Sequence, residues 1–409
     1  MDKKTLLVSV ITASVCLFLI LAVVYLTNMQ GKNENKTPAN VNTVQKTTKK
    51  VEVETDSKSF LKDEEFLDEK QPNRNVVMEV KKKTAVLSVN SVAKDLRVTI
   101  LDRFGKKITN VPFFVKVDGV GEYKDLDMDG YVYIAGLKAG NYDVSLEETQ
   151  DYLCKDSVNI DVFETVQYEP LSDIELSIVQ ENDIIIAEED TRQAEVYKDD
   201  TENTDITKST DIIDFGIDVS SWQQDIDWKK VKEAGVDFAI IRCGYRGAKT
   251  GALVEDSHFY KNLTEAKDAG VDVGVYFFTQ AINETEAVEE ASMVLALVGD
   301  TKLDYPIFID TENTNGRADG IDRETRTAVC DAFCKTIEKS GKRAGIYASR
   351  NWFNNKLNDS KLNGHNRWVA EYASTTAYAG SYEMWQYTSS GHIDGIEGRV
   401  DLDISYLTD

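Results

Sequence analysis

The chain has 409 residues, of which 71 are acidic and 47 basic, and its formal net charge at pH 7 is -24. This acidity argues against nucleic acid as a partner, because proteins that neutralise phosphates need clustered Lys and Arg. The length predicts roughly two or three domains. The five cysteines are sparse and odd in number, so they do not indicate a disulfide framework.

The N-terminus carries an apolar segment. Residues 6–26 are uncharged and long enough to cross a hydrocarbon core about 30 Å thick. Lys3 and Lys4 precede the segment, and positive flanks stay in the cytoplasm. We therefore predict a cytoplasmic stub at 1–5, a single transmembrane anchor at 6–26, and extracellular C-terminal domains. A cleaved signal peptide is the alternative, although its apolar region is usually shorter.

Three segments of different composition follow the apolar segment. Residues 27–93 are polar and charged, which is typical of a flexible tether. Residues 94–168 alternate apolar and polar side chains between turn signals such as DMDG and KAGN, which predicts a small all-β sandwich acting as a spacer. Within it, DGYVYIAGLKAGNYDVSLEE resembles the collagen-adhesin B-type or prealbumin-like modules of bacterial surface proteins. Residues 169–212 predict an acidic linker, in which DIELSIVQ either completes the preceding domain or adds a strand.

Residues 213–409 alternate apolar strand-like runs with amphipathic helical stretches. This rhythm implies parallel strand pairing. Eight runs predict a closed, irregular (β/α) TIM-like barrel whose last connections are too short for full helices, so the fold class is α/β. Chemistry in such barrels lies at the C-terminal strand ends. The runs are FGIDVS, DFAIIRCG, DVGVYFF, YPIFIDTE, RAGIYAS, RWVAEYA, YEMWQYT and RVDLDIS.

The fourth run ends in two carboxylic acids, Asp310 and Glu312. Side chains two residues apart on a strand point to the same side, with Cα atoms about 6.6 Å apart. Simple solvation at a strand end is one reading of this pair. If the barrel closes, however, further acids, aromatic rings and an amide share the same mouth. These are Asp218, Tyr276, Phe278, Tyr347, Glu371, Trp385, Gln386, Asp401 and Asp403.

Carboxylates and aromatic rings together are typical of sugar chemistry. Rings stack on apolar sugar faces, while acids transfer protons and stabilise positive charge at the anomeric carbon. Structural readings stay open for single residues, because Asp218 could cap the following turn and Tyr276 or Trp385 could fill the barrel. Since acids end three separate strands, we expect a carboxylate-based site.

Five motifs in order along this region resemble glycoside hydrolase family 25, the bacterial and phage lysozymes that act as N-acetylmuramidases. The resemblance covers residues 213–408 and implies an irregular β/α barrel that cleaves the β-1,4 bond between N-acetylmuramic acid and N-acetylglucosamine in peptidoglycan. The motifs are GIDVSSWQ (216–223), YPIFIDTEN (305–313), AGIYAS (344–349), WVAEYAS (368–374) and MWQYTSSGHIDGIEGRVDLD (384–403).

The resemblance also implies roles for individual residues. Glu312 would be the general acid, and neighbouring carboxylates are expected to raise its pKa so that it stays protonated near neutral pH. Asp310 would stabilise charge or position the substrate's N-acetyl group, while Asp218 and Asp401 would tune these two and bind substrate. Asp403 stands where Asn is expected, so which of Asp401 and Asp403 faces the site stays open. The expected groove-lining residues are Tyr276, Phe278, Tyr347, Glu371, Trp385, Gln386 and Asp403.

The sequence thus predicts a membrane-anchored muramidase for local wall remodelling, with peptidoglycan strands as substrate and an envelope, secretion or conjugation apparatus as partner. No metal or organic cofactor is implied, because the three histidines are scattered and neither a Ser-His-Asp signature nor a phosphate loop is present. Two alternatives stay open. One is a non-catalytic peptidoglycan-binding or adhesion protein, and the other hydrolyses a different N-acetylated glycan.

Overall fold

A computed structural model describes residues 82–154, 156–181 and 214–407. These residues belong to one compact unit, Glu79–Asp409. The predicted anchor at 6–26, the tether as far as residue 81 and most of the acidic linker lie outside the described residues. Among the helices that are described, none is both long and apolar enough to span a membrane.

The first part of the described chain consists of two four-stranded sheets around one apolar core. The sheet orders are β5-β2-β1-β7 and β4-β3-β6-β8. Alternation of apolar and polar residues places one face of each strand inside, as Val115 and Val117 show on β3. The strands are β1 (Lys83–Asn90), β2 (Asp95–Asp102), β3 (Phe114–Val117), β4 (Gly121–Lys124), β5 (Tyr131–Ala135), β6 (Gly140–Leu146), β7 (Tyr152–Leu153) and β8 (Val158–Val162).

This sandwich begins earlier than the predicted boundary at residue 94. Strand β1 pairs antiparallel with β2, and Ala85 and Leu87 enter the core. The final residues of the predicted tether, 83–90, are therefore part of the sandwich. The apolar and polar alternation in AVLSV is short, but it supplies Ala85 and Leu87, the two side chains of β1 that are buried in the core of the sandwich.

The second part is a closed barrel of eight strands. Its order is β10-β18-β17-β16-β15-β14-β13-β11, and pairing of β10 with β11 closes the ring. The predicted barrel and all eight strand runs are confirmed. The strands of this region are β9 (Ile178–Gln180), β10 (Asp214–Val219), β11 (Phe238–Arg246), β12 (Leu253–Glu255), β13 (Asp272–Phe278), β14 (Ile307–Asp310), β15 (Ala344–Ser349), β16 (Asn366–Ala370), β17 (Met384–Gly391) and β18 (Val400–Ser405).

Helices cover the outside of the barrel, and four of the five described α-helices have a side-chain N-cap. The side chains of Asn283 and Asp322 accept hydrogen bonds from backbone N–H groups in the first turns of the two longest helices. The α-helices are α1 (Trp228–Glu233), α2 (Phe259–Asp268), α3 (Glu284–Val298), α4 (Arg323–Lys339) and α5 (Arg350–Asn355). Short 3₁₀ helices lie at Ile174–Ser177, Ser221–Gln223 and Asp359–Lys361.

The last strand does not follow the predicted parallel pairing. Strand β18 runs antiparallel to both of its neighbours, β17 and β10. The connection over residues 392–399 is too short for the crossover that a parallel partner needs, which takes a dozen or more residues. As a result, the first residues of β18, rather than its last, lie beside the C-terminal end of β10.

Residues 171–180 are not part of an extended linker, in contrast to the predicted linker at 169–212. Leu171 and Ile174 are buried in the same apolar core as the barrel and its helices. Strand β9 pairs in parallel with β12 of the barrel, so DIELSIVQ contributes the 3₁₀ helix and an extra strand. The apolar side chains of DIELSIVQ explain why this segment docks on the barrel, because an extended linker would leave them exposed to water.

An ionic network joins the sandwich to the barrel. Arg97 on β2 pairs with Glu289 on helix α3, and Arg246 Nη2 lies 2.7 Å from Glu289 Oε2. Arg246 Nε also donates to Glu290 Oε1 at 2.8 Å. Both arginines are buried, and removing one partner of such a pair leaves an uncompensated charge. The network therefore fixes the contact between the two parts.

Candidate active site

The C-terminal ends of neighbouring strands bring the predicted acids to one mouth of the barrel. Asp218 on β10 is directly opposite Asp401 on β18. Side chains directly opposite one another in an antiparallel pair have Cβ atoms about 4.5–5.5 Å apart. On the other side of the ring, Asp310 on β14 lies in register between Phe278 and Tyr347.

A hydrogen-bonded cluster holds Asp218 in place. Gln386 Nε2 donates to Asp218 Oδ2 at 2.7 Å. The oxygen of the same amide accepts from the hydroxyls of Tyr347 at 2.8 Å and Tyr372 at 3.0 Å. Because both hydroxyls donate to the amide oxygen, the amide can present only its N–H groups to the carboxylate.

The two tyrosines show that four carboxylates converge. Burial raises the pKa of Tyr347 well above its usual value, and its interaction with Tyr372 and the charges of Glu312, Asp310 and Asp218 add to the effect. Burial likewise raises the pKa of Tyr372, followed by the charges of Asp401, Glu312 and Asp218. Both hydroxyls therefore stay protonated, and both lie within electrostatic range of Glu312 and Asp218.

The segment around Asp310 is fixed by backbone hydrogen bonds to both neighbouring strands. The N–H of Thr279 donates to the Asp310 carbonyl at 3.0 Å, and the N–H of Thr311 donates to the Tyr347 carbonyl at 3.1 Å. Asp310 is buried, whereas Glu312 is half-buried in the loop just after β14. A buried acid beside a more accessible one is the arrangement in which two carboxylates take different roles.

Asp401 and Asp403 lie at different depths in the barrel. They are two residues apart on β18 and share one face, with Asp401 level with Asp218 and Asp403 level with Gly216. Asp403 is 0% exposed and accepts a hydrogen bond from Trp368 Nε1 at 2.8 Å. Burial, followed by the charge of Asp401, raises the pKa of Asp403 well above its usual range. Asp401 is thus the residue at the mouth, while Asp403 belongs to the barrel interior.

Residues 217–396 match the family model described as glycosyl hydrolases family 25. This segment is therefore similar to the catalytic domains of that family. It contains the strands that carry Asp218, Asp310 and Gln386 together with the loop of Glu312, whereas β18 follows the matched segment.

Individual proteins are similar over the same part of the chain. The autolytic lysozyme of Clostridium acetobutylicum is 32% identical over 190 residues, 46% of this chain and 54% of that protein. Lysozyme M1 of Streptomyces globisporus is 30% identical over 200 residues, 46% of this chain and 65% of that protein. The chain thus spans about half the length of the first of these relatives and under two thirds of the second. The solved structure of the modular autolysin LytC from Streptococcus pneumoniae has 32% identity and a TM-score of 0.42, covering 47% of this chain and 46% of that one.

Several predicted groove residues lie below the mouth of the barrel. The rings of Tyr276 and Tyr347 contact the edge of Trp368, with ring centroids 6.3 and 4.6 Å apart. Tyr276, Tyr347 and Trp368 are buried members of the apolar cluster inside the barrel. Phe278 is buried at the upper end of β13, beside Asp310. The ring of Tyr276 therefore packs inside the barrel, which is the alternative to groove lining that the sequence had left open.

Glu371 and Trp385 are not among the residues that meet the carboxylates. Glu371 Oε1 pairs with Arg350 at 2.8 Å, and its Oε2 accepts from the Thr376 hydroxyl at 2.9 Å. Trp385 is buried, and its indole N–H donates to the Glu371 carbonyl at 2.9 Å. Both residues hold the loop after β16 in shape. They alternate with Ala370 and Gln386, which occupy the inward positions of β16 and β17.

Three further residues of the barrel were not predicted to belong to the site. Trp368 on β16 and Tyr372 just after it both contact the site. Positions 368, 370 and 372 alternate along the extended chain, so their side chains point to the same, inward side. Trp222 is 52% exposed in the 3₁₀ helix that directly follows β10. An exposed indole beside the mouth offers a flat surface on which a sugar ring can stack.

Proposed function

We propose that this protein is a peptidoglycan hydrolase that cleaves the β-1,4 bond between N-acetylmuramic acid and N-acetylglucosamine. The observation that carries the proposal is the convergence of Asp218, Asp310, Glu312 and Asp401 at the mouth of a domain matched by family 25. The names of two similar proteins, an autolytic lysozyme and a lysozyme, support the same substrate class.

In this mechanism Glu312 donates a proton to the leaving glycosidic oxygen. Glu312 is half-buried at the mouth, so it can reach substrate and transfer a proton to it. Asp310 is more buried and stabilises the positive charge that develops at the anomeric carbon, or positions the N-acetyl group of the substrate. Asp218, held by Gln386, and Asp401 opposite it complete the negative surface facing the sugar.

The test uses the purified full-length chain, because the sandwich and residues 171–180 cover parts of the barrel surface. Wild-type protein and Glu312→Gln are incubated with peptidoglycan, and the released ends are identified by mass spectrometry. New reducing N-acetylmuramic acid ends from the wild type, and none from the variant, support the proposal. A folded wild type that sediments with the wall without cutting it favours the binding protein. Cleavage of chitin in preference to peptidoglycan favours a hydrolase of another N-acetylated glycan.

We further propose that residues 6–26 anchor this activity in the cell membrane, with the N-terminus in the cytoplasm and the domains outside. The basis is the length and apolarity of the segment and the lysines that precede it. An anchored hydrolase opens its own wall locally, during growth or around a secretion or conjugation apparatus. Fractionation of cells tests this, and intact full-length protein found mainly in the culture medium would contradict it.

A further inference from the structure

The turn between β4 and β5 of the sandwich carries three acids at alternate positions. Residues 125–130 read DLDMDG, which is the arrangement that opens a calcium-binding loop of the EF-hand type. In such loops the first, third and fifth positions supply carboxylates and Gly at the sixth allows a sharp turn. One carboxylate oxygen from each of Asp125, Asp127 and Asp129 lies within 4.8 Å of the others.

Asp125 provides a second, independent observation. Its side chain is 2% exposed, and its Oδ2 accepts a hydrogen bond from the Gly130 N–H at 2.9 Å. Its other oxygen, Oδ1, has no hydrogen-bond donor within the described part of the chain. A buried carboxylate oxygen without a donor is destabilising unless a cation contacts it.

The sandwich holds this turn in one shape. Gly130 has φ +79°, and a Cβ atom there would lie 2.3 Å from the Ile108 carbonyl oxygen, so only Gly fits. The Met128 carbonyl accepts from the Asn110 N–H at 2.7 Å. The acids therefore converge on a turn that is fixed before any ligand binds, which lowers the entropy lost on binding.

One lysine partly balances the cluster. Lys107 Nζ lies 3.9 Å from Asp129 Oδ2, and the Asp129 side chain is 49% exposed. An exposed pair at this distance contributes little, because solvent screens it. Lys107 therefore does not neutralise the three carboxylates, and the cluster of Asp125, Asp127 and Asp129 keeps a net negative charge.

We propose that Asp125, Asp127 and Asp129 bind one Ca²⁺ ion. Calcium prefers six to eight oxygen ligands and accepts irregular geometry, so carbonyl groups of the turn and water complete the set. The twelfth position counted from Asp125 is Gly136, where an EF-hand loop has a bidentate Glu. We therefore expect a Kd of about 10⁻⁴ to 10⁻³ M, the range of extracellular calcium modules. The site is separate from the proposed hydrolase activity.

Binding of calcium chloride to the purified full-length chain tests the proposal, by equilibrium dialysis up to about 10 mM. The variants are Asp127→Asn and the double change Asp127→Asn with Asp129→Asn, both at surface positions where folding should persist. Asp118→Asn is the matched control, since Asp118 is another exposed acid of the same sandwich. Circular dichroism of each protein without calcium verifies the fold.

The expected result is one saturable ion per chain in the wild type and in Asp118→Asn. We expect at least about tenfold weaker binding in Asp127→Asn and no saturation in the double variant. Magnesium chloride should compete poorly, because Mg²⁺ loses its water reluctantly. Lack of saturable binding in the wild type, or equal binding in wild type and double variant, would overturn the proposal.

Discussion

The acids of helix α3 and the acids at the barrel mouth have different neighbours. On α3, Glu289 and Glu290 contact Arg246, and Glu289 also contacts Arg97. In the barrel, the Gln386 amide donates to Asp218 at the mouth, and the Trp368 indole donates to Asp403 below it. Guanidinium groups contact the acids of the first cluster, whereas the donors to these two barrel acids are a neutral amide and a neutral indole.

This difference indicates different tasks. Carboxylates paired with buried arginines hold elements together. Carboxylates oriented by neutral donors keep their repulsion, which favours a shared proton and makes one of them able to donate it. The α3 cluster therefore stabilises the junction of sandwich and barrel, and the mouth cluster is suited to acid catalysis.

The largest expected effect follows from replacing Arg246, one of the two buried arginines that contact the acids of helix α3. Arg246→Met leaves Glu290 buried without its partner, and we expect the free energy of unfolding to fall by about 3–5 kcal/mol. Urea denaturation of the full-length chain measures this. Arg350→Met is the control, because Arg350 is 42% exposed and its pair with Glu371 should contribute under about 1 kcal/mol. Equal losses in the two variants would remove the distinction.

A pH dependence of stability sharpens the same comparison. Burial raises the pKa of Glu290 to about 7 against the opposing effect of Arg246. Between about pH 4.5 and 7 the folded state therefore binds more protons than the unfolded state, and stability falls as the pH rises. Glu290→Gln should remove about 3 kcal/mol of this decrease. Denaturation midpoints at several pH values measure it, with the exposed Glu148→Gln as control. Parallel curves for the wild type and Glu290→Gln would contradict the assignment.

A smaller effect is expected for the amide at the mouth. Gln386→Met removes the donor to Asp218 and the acceptor of two tyrosine hydroxyls. Hydrogen bonds to charged groups contribute about 1.5–3 kcal/mol, so kcat should fall about 10- to 100-fold with a shifted pH profile. Initial rates of peptidoglycan cleavage across pH measure this effect. An unchanged profile would mean that the amide does not tune the acids.

The smallest effect is expected for Trp222→Ala. The exposed indole contributes little to folding, so the free energy of unfolding should stay within about 0.5 kcal/mol of the wild type. Loss of a stacking surface should raise KM about three- to tenfold with little change in kcat. The exposed Tyr406→Ala is the matched control, and an equal rise of KM in that variant would exclude stacking on Trp222.

Sequence alone was sufficient for the barrel because strand-like runs alternate with amphipathic helical stretches along residues 213–409. It also indicated Asp218, Asp310, Glu312 and Asp401 as neighbours, since closure of the ring brings strand ends together. The roles given to these residues stay predictions until activity is measured.

Other features depend on details that the apolar pattern does not specify. The direction of β18 follows from the short connection at 392–399, which changes which end of that strand lies at the mouth. Glu371 and Trp385 point outward because side chains alternate along a strand. The prediction used only their position near a strand end and did not take this alternation into account. The docking of 171–180 depends on a complementary barrel surface, which no local signal reveals.

Turnover and stability measured side by side in Glu312→Gln and Glu289→Gln test the central claim most directly. Both changes replace one Glu by Gln, one in each acidic cluster. We predict that Glu312→Gln loses about 10²- to 10⁴-fold in peptidoglycan cleavage without loss of stability. Glu289→Gln should keep its turnover and lose stability. Full turnover by a folded Glu312→Gln protein would contradict the assignment of Glu312 as the catalytic acid.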